Sequence, residues 1–421
     1  MVLTAFKIKP AFILMFCLVL FLFLKYTLQY MPGIFASDLL EQLGGQAHTL
    51  GFLAAAYLYA YLLLQVPAGI MLDRYKLSTV VFVAVLACFA GIVLFTFTTD
   101  LTLRIIARIL MGSGAAFATV AYMHTAALYF DPKWFARFSG FFGTACMGGA
   151  GSIILIFGWL YATLGMTLTS YIMIVCAGVV LLLSLTFRFI KPDPAIENKI
   201  VHSNRNRPSI LSSIKHIMWN KNNMLLLLYN GLAFAPISVF GGLWGINFLR
   251  STHGLTMDQA SMAISAMFYA FAAGGPILAT LFTGKRAQCN LMGYGILVSM
   301  CFFIALVYLP VGWFGFIGIM VLMCGLGFFA GSFLVSYAVA VSCNPITLVA
   351  TVIAVVNMGD PIFTGIAEPL MGYMMDAMSV TAHFSVEAYR VGFALLVGYF
   401  IMAYVSAMLL SFKKDASKHE N

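Results

Sequence analysis

Lys25, Arg104, Arg108, Asp360 and Glu368 each stand in a run of otherwise apolar residues, and the two acids are each followed directly by a proline, Pro361 and Pro369. A charge at the centre of an apolar helix costs at least about 2.5–3.5 kcal/mol to place in a membrane, so such groups face protein or water and mark a working site. An ammonium or guanidinium there attracts a carboxylate or phosphate where little water competes. A carboxylate in the same layer binds an amine or carries a proton, unless the bases and acids simply neutralise one another. On one helix, Asp360 and Glu368 are eight residues apart, about 12 Å at 1.5 Å per residue, which is too far for a catalytic carboxylate pair. The prolines withhold a backbone donor and free a carbonyl beside each acid. Asp360, with Asn357 three residues earlier, is therefore expected to bind the amine or the proton, or to pair with Lys25 or Arg108. Glu368 is placed at an outer gate and is read as a second candidate for proton coupling.

The elements that must hold these residues follow from composition. Of 421 residues, 62% are hydrophobic and only 9% charged, with a mean hydropathy of +0.99, far from the balance of a soluble chain. Apolar runs of about 20 residues mark membrane-spanning helices. Twelve are read, at 11–32, 49–70, 79–98, 102–124, 135–159, 168–190, 223–249, 258–283, 289–310, 313–341, 347–374 and 390–412. The short alternating segments of a β-barrel are not seen. The first run follows Lys7 and Lys9 as in a signal peptide, but it is long and lacks a small-residue cleavage site, so it is read as a retained helix. The expected fold is all-α and integral to the membrane.

The net charge of +9 points to topology rather than to nucleic acid. With both termini in the cytoplasm, 18 of the 23 Lys and Arg fall on that side, Arg250 and Arg390 fall outside, and Lys25, Arg104 and Arg108 lie within helices. Positive loops face the cytoplasm. The one long polar stretch, Lys191 to Asn223, divides the chain into six-helix bundles at 1–190 and 223–412, joined by a linker at 191–222 and followed by a tail at 413–421. Equal six-helix halves are the signature of transporters built from repeats, with the substrate site between the halves near the midplane.

Between the second and third runs lies PAGIMLDRYKLSTV, Pro67 to Val80. Its Gly69-x-x-x-Asp73-Arg74 resembles the loop signature of the major facilitator superfamily, in the expected place. The resemblance implies a cytoplasmic gate in which the glycine allows close packing and the acid and base pair with neighbouring helix ends. The family pattern continues with a glycine and two bases, where this chain has Lys76, Leu77 and Ser78. The matching segment of the second half, Gly274 to Cys289, keeps Pro276, Lys285 and Arg286 but has no acid. Arg108-x-x-x-Gly112-x-Gly114 is similar to the family's motif in helix four, with Arg104 one turn earlier. Arg104 is expected to reach the interface, and Arg108 to serve the cavity or proton coupling. Helix five, Gly140 to Ser152, has the glycines but not the proline of the family's drug-expelling antiporters.

The resemblance further implies that helices one, four, seven and ten line the central cavity. Helix one presents Lys25, Tyr26, Gln29 and Tyr30 on adjacent turns. Lys25 is read as an anion contact, with pairing to a buried acid as the alternative. Helix seven offers Tyr229 and Asn230, either as substrate contacts or as packing residues, and Pro236 permits a bend. Helix ten offers Ser332, Ser336 and Tyr337, equally suited to packing between helices. His124 is the one histidine placed in a helix.

The eight cysteines lack CxxC spacing and the histidines lack HExxH, so neither a metal site nor a cofactor is expected. With no P-loop pattern to supply ATP energy, the chain is expected to move a small polar solute by alternating access: an amino acid, a short peptide or an organic acid. An ion gradient, most simply of protons, would drive it. Drug or metabolite efflux by proton antiport is one alternative, and a transporter-like solute sensor without net transport is another. An enzyme is not expected. The partners read from the sequence are the solute, protons and the lipid bilayer, with no nucleic acid. The chain is expected to be a monomer in a bacterial inner (plasma) membrane with both termini cytoplasmic.

Overall fold

A computed structural model describes residues 10–130, 132–189, 217, 219–282, 284–310, 312–344, 349–378 and 384–410. Most of the 191–222 linker, the 413–421 tail, and Lys7 and Lys9 lie outside the described residues.

Apolar runs become helices because a lipid core offers backbone groups no other partner. In chain order these are α1 (Pro10–Ile34), α2 (Ala47–Arg74), α3 (Leu77–Phe97) and α4 (Leu101–Tyr129). The span Pro132–Ser184 is broken at Gly165 into α5 (132–164) and α6 (166–184). Then come α7 (Lys221–His253), α8 (Met257–Leu281), α9 (Lys285–Tyr308) and α10 (Phe316–Ser342). Finally, α11 consists of Val349–Asn357 and Gly359–Asp376, and α12 of Val386–Met408. These are the twelve helices of an integral membrane protein. Ten continuous stretches among the described residues are long and apolar enough to span. Two of the twelve do not form separate continuous stretches, because α5 and α6 run together and α11 is interrupted.

Odd-numbered helices run from the end where α1 begins, here the near end, to the far end, and even-numbered helices return. Three local features depart from the reading of apolar runs alone. Gly165 turns the chain from α5 into α6 with φ of 74°, a left-handed value that glycine adopts at little cost, so a single residue replaces the expected loop. A short helix, Ala36–Gln42, follows α1. The segment expected as a gate loop is mostly helical, and this corrects the sequence reading. Gly69, Asp73 and Arg74 lie in the last turns of α2, where the Tyr75 N–H still reaches Met71 O at 2.9 Å, so that Tyr75 and Lys76 alone connect to α3.

Close backbone approaches join the first six helices to the last six in the far half of the bundle. A Cβ on Gly33 of α1 would lie 2.1 Å from Gly242 O of α7, and one on Gly51 of α2 would lie 2.5 Å from Glu368 O of α11. A Cβ on Gly158 of α5 would meet Ser261 Oγ of α8 at 2.1 Å. Ser37 Oγ donates to Asn247 Oδ1 at 3.0 Å, and Arg250 Nη1 donates to Ser37 Oγ at 3.0 Å. At the near end the picture differs: a Cβ on Gly69 would meet nothing within 4 Å, and Arg74 is exposed.

Packing against backbone makes some glycines obligatory. A Cβ on Gly112 of α4 would lie 2.1 Å from Tyr57 O of α2. Gly112→Ala should therefore cost about 1–3 kcal/mol through overpacking and lower the thermal unfolding temperature in detergent. Gly69→Ala, made in open space within a helix, should leave that temperature unchanged or raise it.

Candidate functional site

Helix α1 places Lys25, Tyr26, Gln29 and Tyr30 toward the bundle interior. Lys25 is only 7% exposed, and its Nζ sits 4.1 Å from the Tyr26 ring centroid and 5.1 Å from that of Tyr61 in α2. Ring faces attract a cation by about 2 kcal/mol or more once it is desolvated. Lys25 and Asp360 are within electrostatic reach, but no carboxylate lies within 4 Å of the ammonium among the described residues. The base thus meets π faces rather than a carboxylate. Tyr57 and Tyr61 stack at 6.4 Å, and Tyr57 Oη donates to Lys25 O at 3.0 Å, fixing α2 against α1. Tyr30 stacks on Tyr26, and its buried hydroxyl has no partner. Gln29 is half-buried on the same stripe.

Helix α11 supplies the acids. Pro361 lacks the N–H that Asn357 O would otherwise receive, and α11 is interrupted between Asn357 and Gly359. A glycine pair presses this break onto α7: a Cβ on Gly359 would lie 2.3 Å from Leu227 O, and one on Gly231 would lie 2.4 Å from Gly359 O. Asp360 is half-buried there and accepts from Thr364 Oγ1 at 2.9 Å. Tyr337 of α10 donates to Asn357 Oδ1 at 2.8 Å and lies within electrostatic reach of both Asp360 and Tyr61. Asn230 is fully buried with Nδ2 3.4 Å from Ser336 Oγ, and its Oδ1 has no partner. Glu368, 7% exposed, lies farther along α11, with a buried Oε2 that also lacks a partner. Lys25, Tyr26, Tyr61, Tyr337, Asn357 and Asp360 therefore gather between the first and last six helices, with Glu368 on the far side of them.

Other sequence candidates are placed elsewhere. Arg108 is 1% exposed and donates to three backbone carbonyls: Leu53 O at 3.1 Å, Ala54 O at 3.2 Å and Leu28 O. Leu28 O is the carbonyl that Pro32, four residues on, cannot engage. The guanidinium also lies 4.8 Å from the Tyr57 ring centroid. Glu368 is within its electrostatic reach but forms no ion pair with it. Arg104 reaches back to the far-end connection, to Thr98 O at 3.0 Å and Gln42 Oε1 at 2.7 Å. Tyr229 is fully buried and donates to Met292 O at 3.1 Å, tying α7 to α9. Among the gate residues, the Asp73 side chain lies outside the described residues.

Tyr57, Tyr61 and Tyr337 are cluster residues that the sequence reading either missed or left as packing. The four-residue spacing of Tyr57 and Tyr61, continued by Gln65, is the signal that marks them as one inward face. Arg108 acts by geometry as much as by charge. Arg108→Lys should therefore destabilise the protein about as much as Arg108→Met, because one ammonium cannot bridge three carbonyls on two helices. Each should cost about 1–3 kcal/mol for the carbonyls left unpaired, read as a lowered unfolding temperature. A fully stable Lys variant would refute the bridging role.

Two solved structures of a bacterial homolog of the human lysosomal transporter Spinster resemble this chain throughout. The inward-facing, occupied form matches with a TM-score of 0.69 at 13% identity, covering 94% of this chain and 95% of that one. The inward-facing, unoccupied form matches with a TM-score of 0.72 at 13% identity, covering 96% and 97%. At that identity the likeness is one of fold. No curated protein matches the sequence. The family model described as Major Facilitator Superfamily matches residues 14–359. The chain accordingly belongs to the Major Facilitator Superfamily, a family of membrane transporters and not of enzymes.

Proposed function

We propose that this secondary transporter moves a small solute bearing both a carboxylate and an amine, an amino acid or short peptide, by proton-coupled alternating access between two six-helix halves. The observation that carries the reading is Lys25: a buried ammonium among tyrosine rings, with Asp360 in electrostatic reach across the halves but no ion pair closing the gap. A substrate carboxylate would meet Lys25, and its amine would meet Asp360 beside Asn357 and Tyr337. Glu368 Oε2, buried without a donor, is available to hold a proton, and Arg108 holds the helices around it. The excess of basic residues in the near-end connections supports a cytoplasmic near end. In that orientation the halves are packed together on the outside. A small organic acid without an amine would use the Lys25 side alone.

The tyrosine faces would also suit a lipophilic cation, as in drug efflux. Lys25 inside the same cluster repels one.

Purified protein in proteoliposomes should accumulate one or more amino acids, dipeptides or organic acids, and an imposed proton gradient should stimulate that uptake. Lys25→Ala should weaken the apparent affinity for the carboxylate-bearing substrate about tenfold or more, the loss of one buried charge-assisted contact. Unchanged uptake would remove Lys25 from the site, and binding without flux would indicate a sensor.

A further inference from the structure

The last residue of α11, Asp376, reaches out of the last six helices and caps a helix of the first six. Its Oδ1 accepts from the Ala47 N–H at 2.8 Å, and its Oδ2 accepts from the His48 N–H at 2.9 Å and from His48 Nδ1 at 2.7 Å. The His48 ring stacks on Tyr373 of α11 at 4.6 Å and 11°. Tyr373 in turn meets Phe52 edge-on at 5.8 Å. The approach is close because of Gly372: a Cβ there would lie 2.6 Å from both Ala47 O and the His48 Cα. The His48–Asp376 contact is the only approach of a basic side chain to a carboxylate within 4 Å among the described residues.

Several other helices in this chain cap themselves. Asp100, Asn220, Thr256 and Ser385, each the residue before its own helix, accept from a backbone N–H in the first turn. At α2 that position is Gln46, whose side chain makes no such bond. The N-terminal N–H groups of α2 would otherwise lack partners, and they carry the positive end of the helix dipole. The carboxylate that satisfies them comes from 329 residues away along the chain. At its other end α2 buries Ala68 and Leu72 on one face, while Arg74 is exposed and Gly69 faces free space.

We infer that Asp376 is a gate latch that holds the far end of the transporter shut by capping α2 across the two sets of helices. Opening the far end must break three bonds to one carboxylate and leave the first turn of α2 uncapped. The same helix carries Gly69, Asp73 and Arg74 at its near end, so a single helix links the capped far end to the segment read as the near-end gate. The inference requires only that the two sets part at the far end during transport, whatever the solute.

Hydrogen exchange followed by mass spectrometry on the full chain, without substrate, tests it. In Asp376→Asn, exchange should rise about tenfold, the loss of charge-assisted bonds that hold one state. The rise should extend to peptides over 33–42 and 240–253, which form the other far-end contacts and which Asp376 does not touch. A rise confined to the first turn of α2 would show a local cap and overturn the latch. Should Asp376→Asn fail to fold, Gly372→Ala wedges the same junction while keeping the carboxylate, and it should raise exchange in the same distant peptides. Continued protection of those peptides would overturn the proposal. Because neither readout uses uptake, a wrong substrate class would leave both results standing.

Discussion

A carbonyl released by a proline inside the membrane has no water to turn to, and leaving it unpaired costs about several kcal/mol. Two such carbonyls organise this protein. Pro32 releases Leu28 O in α1, and Arg108 of α4 occupies it while also holding Leu53 O and Ala54 O of α2. Pro369 releases Gly365 O in α11, and the Tyr59 hydroxyl of α2 occupies it at 2.7 Å. The first contact fixes three helices of the first set as one body. The second joins the two sets, as a single hydrogen bond that can be exchanged. A buried charge thus serves rigidity where its partners are backbone groups of its own set, whereas bonds such as that of Tyr59 join the sets and can be exchanged.

That division explains why the cluster around Lys25 keeps unused bonding capacity. Were Arg108 paired with Glu368, or Lys25 with Asp360, each charge would be cancelled and the layer would hold little attraction for a solute. Arg108 is bound to carbonyls, Lys25 rests on tyrosine faces, and Asp360 takes one bond from Thr364 on its own helix. The acid and base remain separated across the two sets. Under the proposed function, a solute able to bridge them would draw the sets together and so convert binding energy into movement.

Much of the fold was legible in the sequence, because apolar runs of spanning length have few alternatives. What escaped was local. Nothing in periodicity distinguishes the single-residue turn at Gly165 from a short loop, and Asp73-Arg74 read as loop residues although no helix breaker lies between Gly69 and Tyr75. The π-helical stretch Phe240–Trp244 in α7, where the Gly245 N–H reaches back to Phe240 O, contains the Gly241-Gly242 pair that permits a bend, but the pair does not specify a π-turn. In the cluster, Lys25 and Asp360 stood out because charge in an apolar run is conspicuous. The partners of Arg108 could not be read, since carbonyls have no residue identity. Tyr57 and Tyr61 were hidden because tyrosine in a membrane helix is unremarkable until its facing helix is known.

Asp376 shows the same limit most sharply. It closes the stretch that contains Asp360 and Glu368, yet at the end of a helix an acid looks like ordinary solvated surface. Its role depends on α2 beginning without a capping residue of its own, a deficit visible in sequence only once Gln46 is known to be the N-cap position. In an isolated helix that deficit would be a defect. Here it makes the start of α2 stable only when α11 is against it, so a weak helix end becomes a sensor of whether the two sets of helices are in contact. Local under-stabilisation of one element is thereby coupled to the global state, which a helix capped by its own sequence could not provide.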